Sequence, residues 1–194
     1  MPLPLLWLGA ATVSALAVSE LVQDRKSQQK LRHQKLRTLS EQGSNLEHVA
    51  IYPSSVFATE QSVLPKPGAI VCCGIAGVLE HTGIWVGDNT IVELSGSGLV
   101  KAVSPQRFLD NRSGGEIFIA ADSKGQALAD NDAASRAVQE IYQFYDYDLL
   151  DNNCHHFVWQ CYQPQSDNLT TFDRLNTNIA QYFDRVVYWD KCQI

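Results

Sequence analysis

The chain carries a cysteine in the run Asp151-Asn152-Asn153-Cys154-His155-His156-Phe157 and, well ahead of it, a histidine in the run His81-Thr82-Gly83-Ile84-Trp85-Val86-Gly87. A free thiol, with a pKa of ~8.5, is mostly protonated at neutral pH, so a cysteine nucleophile needs a base or a helix N-terminus to ionise it. Asn152 and Asn153 are capping residue types, which places Cys154 at a predicted helix start. There, orphan N–H groups and the positive end of the helix dipole favour thiolate. The backbone N–H groups of Cys154 and His155 would then face the oxygen of a tetrahedral intermediate, as an oxyanion site does. A ring adjacent in sequence points away from Cys154 on a helix, so the base comes from elsewhere. His81, expected just ahead of a strand, is the candidate, and Glu93 on the next strand is placed to orient it.

Blander roles compete with each of these. Cys154 taken alone fits a buried small hydrophobe, and Glu93 fits a solvent-facing strand residue. His155 and His156 diverge and lack a third ligand at a useful spacing, so they read as packing or capping residues, and neither a metal nor a cofactor is expected. Cys72 and Cys73 read as strand core, Cys161 as helix core, and Trp85, Trp159 and Trp189 as core rather than ligand platforms. The five cysteines form no CxxC pair, which signals neither a zinc site nor a disulfide framework.

The elements that must bring these residues together follow from pattern. After the turn Pro65-Lys66-Pro67-Gly68, residues 69–73 form a short buried strand. Residues 83–86 and 90–94 form two more, joined through Gly87-Asp88-Asn89 as a hairpin turn. Residues 99–103 and 116–120 complete an antiparallel sheet of about five strands. A helix begins near Asp130, with Ala134, Ala137, Val138, Ile141 and Tyr145 on one face. A second opens at Cys154, and a third spans residues 171–187 with Phe172, Leu175, Ile179, Tyr182, Phe183 and Val186 inward. Strands followed by helices predict an α+β body.

Residues 1–42 read differently from this body at 43–194. Residues 2–19 carry no charged side chain and are mostly apolar. With Leu21 and Val22 included, the run reaches the ~20 residues that cross a bilayer. Arg25, Lys26, Lys30, Arg32, Lys35 and Arg37 follow it, so the positive-inside rule makes it a single-pass transmembrane anchor with the C-terminal body in the cytoplasm. A basic helical neck follows the anchor. The alternative is a secretory signal at residues 1–17, with Ala15-Leu16-Ala17 resembling a cleavage site and the body then secreted or periplasmic. The overall charge of −6 hides this asymmetry. Residues 1–37 hold six Lys/Arg against two Asp/Glu, a net of +4, leaving 9 against 19, a net of −10, for the rest. An acidic body excludes nucleic acid as its partner, and the basic neck points at anionic lipid.

The run from Leu64 to Leu94 and the later Asn153-Cys154-His155-His156-Phe157-Val158 together resemble the lecithin:retinol acyltransferase-like family. This NC-domain group is a circularly permuted branch of the papain-like fold that includes the H-Ras-like suppressor phospholipase/acyltransferases. The resemblance covers roughly residues 64–162, in the permuted order of histidine before cysteine. It implies a thioester on Cys154, formed from a lipid acyl group and passed to water, an alcohol or an amine. Cys154 matches the family's nucleophile, His81 its base and His156 a structural motif histidine. Vertebrate members place a second histidine where Glu93 stands here. The function expected is a membrane-anchored cysteine acyl hydrolase/acyltransferase acting on lipid, with membrane lipid as partner. The alternatives are a cysteine amidase/peptidase of the same fold and a catalytically inactive membrane scaffold.

Overall fold

The computed structural model describes residues 50–51, 62–75, 79–112 and 114–194. The expected anchor and neck at 1–42 lie outside the described residues. Among those described, no helix is long and apolar enough to cross a membrane.

Eight strands form one sheet among the described residues: β1 (Ala50–Ile51), β2 (Ser62–Val63), β3 (Ile70–Ile75), β4 (Leu79–Gly87), β5 (Thr90–Leu94), β6 (Val100–Val103), β7 (Phe118–Ala121) and β8 (Val187–Cys192). Their order is β1-β8-β7-β3-β4-β5-β6, with β2 also paired to β8. All pairings are antiparallel except those of β1 and β2 with β8, which are parallel. Four helices accompany the sheet: α1 (Pro105–Leu109), α2 (Asn131–Gln139), α3 (Cys154–Tyr162) and α4 (Phe172–Phe183). The α+β class is the one expected.

The sheet buries both faces. On β3, Ile70 and Cys72 join one apolar cluster with α2, α3 and α4, while Val71 and Cys73 join a second with Trp85, Ile91, Phe108 and Ile119. Alternate strand residues therefore meet apolar partners on both sides, which explains why β3 reads as a continuous hydrophobic run. Cys72 and Cys73 are strand core and Trp85, Trp159 and Trp189 are buried, as expected. The hairpin between β4 and β5 turns through positive φ at Gly87, Asp88 and Asn89, residue types that tolerate it.

Three expectations are corrected. The last helix stops at Phe183, because Asp184 caps it in the left-handed region at φ 52 and its N–H bonds the carbonyls of Ala180 and Gln181. Val187, Trp189 and their neighbours then form β8, with Val186 outside the helix and Tyr182 36% exposed rather than inward. The sheet thus exceeds the five strands expected, through pairings distant in sequence. The helix from Asp130 also ends early, at Gln139, with Tyr142 at φ 74. Beyond it the chain runs along the β6 edge, where Tyr142 N–H donates to the Val100 carbonyl at 2.9 Å and Tyr145 N–H to Gly98 at 2.8 Å. Gly98 sits at φ 85, where a side chain would collide with the Tyr145 carbonyl.

Candidate active site

His81 lies inside β4, directly opposite Cys73 of β3, rather than ahead of the strand. Glu93 lies near the end of β5, opposite Lys101 of β6. Strands β4 and β5 pair only as far as Ile84↔Val92, and α3 packs against both. His81 Nε2 meets Glu93 Oε2 at 2.7 Å. Glu93 is 1% exposed, so it is an internal carboxylate and not a solvent-facing strand residue. Arg112 Nη2 reaches the same oxygen at 3.0 Å, and Lys101 Nζ faces Oε1 at 3.4 Å. Burial by itself would push the Glu93 carboxyl up, but His81 and Arg112 outweigh it and hold the group below its ordinary value.

Cys154 is the first residue of α3, capped by Asn153. Asn153 Oδ1 accepts from the N–H groups of His155 and His156 at 3.0 and 3.2 Å, while its Nδ2 donates to the carbonyls of Leu149 and Thr170 at 2.9 and 2.7 Å. One side chain therefore ties the helix start to two flanking segments. Burial pushes the Cys154 thiol up, yet the imidazoles of His81 and His155 reverse this and bring it well below its ordinary value. On His81, burial pushes down while the Cys154 sulfur and Glu93 push up, and the net shift is upward. A thiol moved down and an imidazole moved up are the directions that favour a thiolate–imidazolium pair.

The two backbone donors expected for an oxyanion differ in state. The His155 N–H is spent on Asn153, as above, so the expected pair is reduced by one. The Cys154 N–H makes no hydrogen bond among the described residues. Nor does the His155 ring point away from the sulfur, as adjacency on a helix suggested. Its Nδ1 lies 4.0 Å from Cys154 Sγ and 3.0 Å from Thr82 Oγ1, because α3 packs on β4 and the Thr82 hydroxyl draws the ring across. His156 keeps its packing role: its Nδ1 accepts from the Leu169 N–H at 3.3 Å, and burial pushes the imidazole down.

Arg112, Lys101 and Thr82 belong to this constellation and were not singled out from sequence. Thr82 stands within the quoted His81 run, which is the one available signal; Arg112 lies in a loop without periodicity. Tyr147 is half-buried, and burial together with the Cys154 charge pushes its phenol to about 12. Cys72, Cys73, Cys161 and Cys192 are buried free thiols whose values burial pushes up. Among the described residues, no three His, Cys, Asp or Glu side chains gather to hold a metal. Cys154 is 4% exposed, so the thiol is reached only narrowly. A surface cleft of about 290 Å³ lies elsewhere, lined by Asp122, Ser123, Lys124, Asp184, Arg185 and Val186.

Residues 28–187 match a family described as permuted papain-like amidase enzymes, YaeF/YiiX, C92 family. The chain belongs to this C92 family. No curated protein matches the chain. The permuted papain-like assignment from the sequence therefore stands, while the branch matched is the amidase one rather than the lecithin:retinol acyltransferase-like one. Permutation accounts for the chain order seen here, with His81 and Glu93 on strands ahead of the Cys154 helix.

Proposed function

We propose that the protein is a cysteine amidase or peptidase in which Cys154 is the nucleophile, His81 carries the proton and Glu93 orients the imidazole. One observation carries the reading: the 2.7 Å contact of His81 Nε2 with Glu93, buried beside a thiol that the same imidazole draws down. With Nε2 committed to Glu93, Nδ1 remains for the sulfur. The thiolate attacks an amide carbonyl, forming the C–S bond and moving the carbonyl electron pair to oxygen, toward the Cys154 N–H. The His81 imidazolium protonates the leaving amine as the C–N bond breaks. Water then gives a proton to His81 and attacks the thioester, and cleavage of the C–S bond restores thiolate and imidazolium.

The description of the matched family as amidases supports an amide substrate over a lipid ester. A second reading keeps the lipid acyl hydrolase/acyltransferase of lecithin:retinol acyltransferase-like type. It rests on the apolar run at residues 2–19 and the six cations after it, which would hold the site at a membrane with residues 43–194 on the cytoplasmic side. Comparing the size of the mature and encoded chains tests that anchor, since a cleaved chain removes it. The scaffold reading drew its force from a Glu93 turned away from His81, which the 2.7 Å contact opposes.

The deciding experiment incubates the full chain with peptide amides and, separately, with phospholipid vesicles, and maps covalent adducts by mass spectrometry. An acyl adduct on Cys154 from amides, absent in Cys154→Ala, is expected. Adducts from vesicles alone transfer the assignment to the lipid reading, and no adduct from either removes the enzyme reading.

A further inference from the structure

Glu93 has more cationic company than orienting a histidine requires. Its Oε2 is shared between His81 Nε2 at 2.7 Å and Arg112 Nη2 at 3.0 Å. Lys101 also faces the carboxylate, but its side chain is 41% exposed against 14% for Arg112, so solvent screens it far more. Arg112 is itself held from other sides. Its Nη1 donates to Cys73 Sγ at 3.6 Å, and its guanidinium carbon lies 5.0 Å from the centre of the Phe108 ring. Phe108 in turn packs its ring 5.2 Å from that of His81. His81, Glu93, Arg112 and Phe108 thus form a closed circuit of contacts around the base.

We propose that Arg112 is a positioning residue for the reaction at Cys154: it fixes Glu93 against His81 and takes a share of the carboxylate's charge. The proposal rests on the reading of Cys154, His81 and Glu93 as one catalytic unit. A carboxylate that faces only an imidazolium holds the proton tightly, and a tightly held proton is given up slowly to a leaving amine. A guanidinium on the same oxygen weakens that hold, and its own charge opposes a second positive charge on His81. The planar fork suits this task, because it can span Glu93 and Cys73 at once. The charged and titratable groups facing His81 are Cys154 from α3, Glu93 from β5, Arg112 from the loop after α1 and Cys73 from β3. Lys101 stands beyond Glu93 and His155 beyond the sulfur.

The test is the rate of Cys154 alkylation by iodoacetamide across pH in the full chain, with the adduct located by mass spectrometry and thermal unfolding followed in parallel. Two inflections are expected, the lower from ionisation of the thiol and the upper from loss of the imidazolium proton. Arg112→Met moves the upper inflection to higher pH by roughly 0.5 unit, less than the ~1–3 units of a directly contacting charge. Lys101→Met moves it less, and Arg112→Lys, which keeps the charge, restores the wild-type position. An unmoved upper inflection in folded Arg112→Met overturns the proposal, as does an Arg112→Lys shift as large as that of Arg112→Met. Should Arg112→Met fail to fold, Arg112→Gln keeps a donor to Glu93 without the charge and reads the same shift. An unsubstituted chain that forms no Cys154 adduct overturns the catalytic reading and the proposal together; an adduct with an immobile inflection overturns the proposal alone.

Discussion

The two ends of α3 carry cysteines of opposite character. Cys154 and Cys161 lie about two turns apart on one helix and are buried alike, at 4% and 3% exposed. Burial pushes both thiols up. At Cys161 the Glu140 charge adds to burial, and the opposing Arg136 has its guanidinium spent on the Cys161 and Tyr162 carbonyls, so the thiol stands at about 12. At Cys154 two imidazoles outweigh the same penalty. Burial alone makes a thiol inert, and the groups brought to it by other elements decide whether it reacts.

The strongest way to break this contrast is to remove the imidazole that β4 supplies. His81→Ala is expected to send Cys154 back toward the ordinary ~8.5 or above and to cut its alkylation at pH 6 by about 10²-fold or more, with Cys161 inert throughout. Equal alkylation of wild type and variant would sink the ion-pair reading.

Next in size, Glu93→Gln keeps the shape of the carboxylate and loses its charge. Because Glu93 raises His81, the substitution is expected to move the upper inflection of Cys154 alkylation to lower pH and to slow amide turnover by roughly 10–10²-fold. It also leaves Arg112 with a neutral partner, at a cost on the order of 1–3 kcal/mol in denaturant unfolding.

The pair should leave a mark on stability as well. Glu93 is held below its ordinary value, so its contribution is present above its unfolded value of ~4.3 and is lost as pH falls through the lower folded value. His81 is held above its ordinary value, so its contribution is present below its unfolded value of ~6.5 and is lost as pH rises through the higher folded value. Cys154 is held below its ordinary value, so its contribution, present above its unfolded value of ~8.5 and lost as pH falls through the lower folded value, opposes that of His81 at neutral pH and adds to that of Glu93 in acid. Melting temperature is therefore expected to fall on the acid side, and Cys154→Ala to make that fall shallower. The smallest effect is expected from Thr82→Val, which removes the hydroxyl at the His155 ring. It should slow alkylation by only a few-fold, because His81 remains, with an unfolding cost of about 1 kcal/mol.

Much of the fold near the site was legible in residue order. The turn at Gly87-Asp88-Asn89, the caps at Asp130 and Asn153 and the start of α3 all depend on interactions within a few residues. β8 was not, because its pairing with β1, β2 and β7 joins distant segments, and its Val, Tyr and Trp residues continue the apolar pattern of the preceding helix. The early end of α2 was missed for a related reason: Ile141 and Tyr145 keep helical spacing yet pack from a segment bonded to the β6 edge.

The sequence by itself determined the reactive types, Cys154 behind a capping asparagine, His81 beside one strand and Glu93 on the next, since cap and strand signals are local. Only the tertiary structure decided their states. The Glu93 contact with His81, the Arg112 circuit, the turning of His155 toward the sulfur and the spending of its N–H on Asn153 each depend on side chains meeting across elements. Charges at such contacts set which way each thiol is shifted, and distance in space, unlike distance along the chain, is fixed by packing.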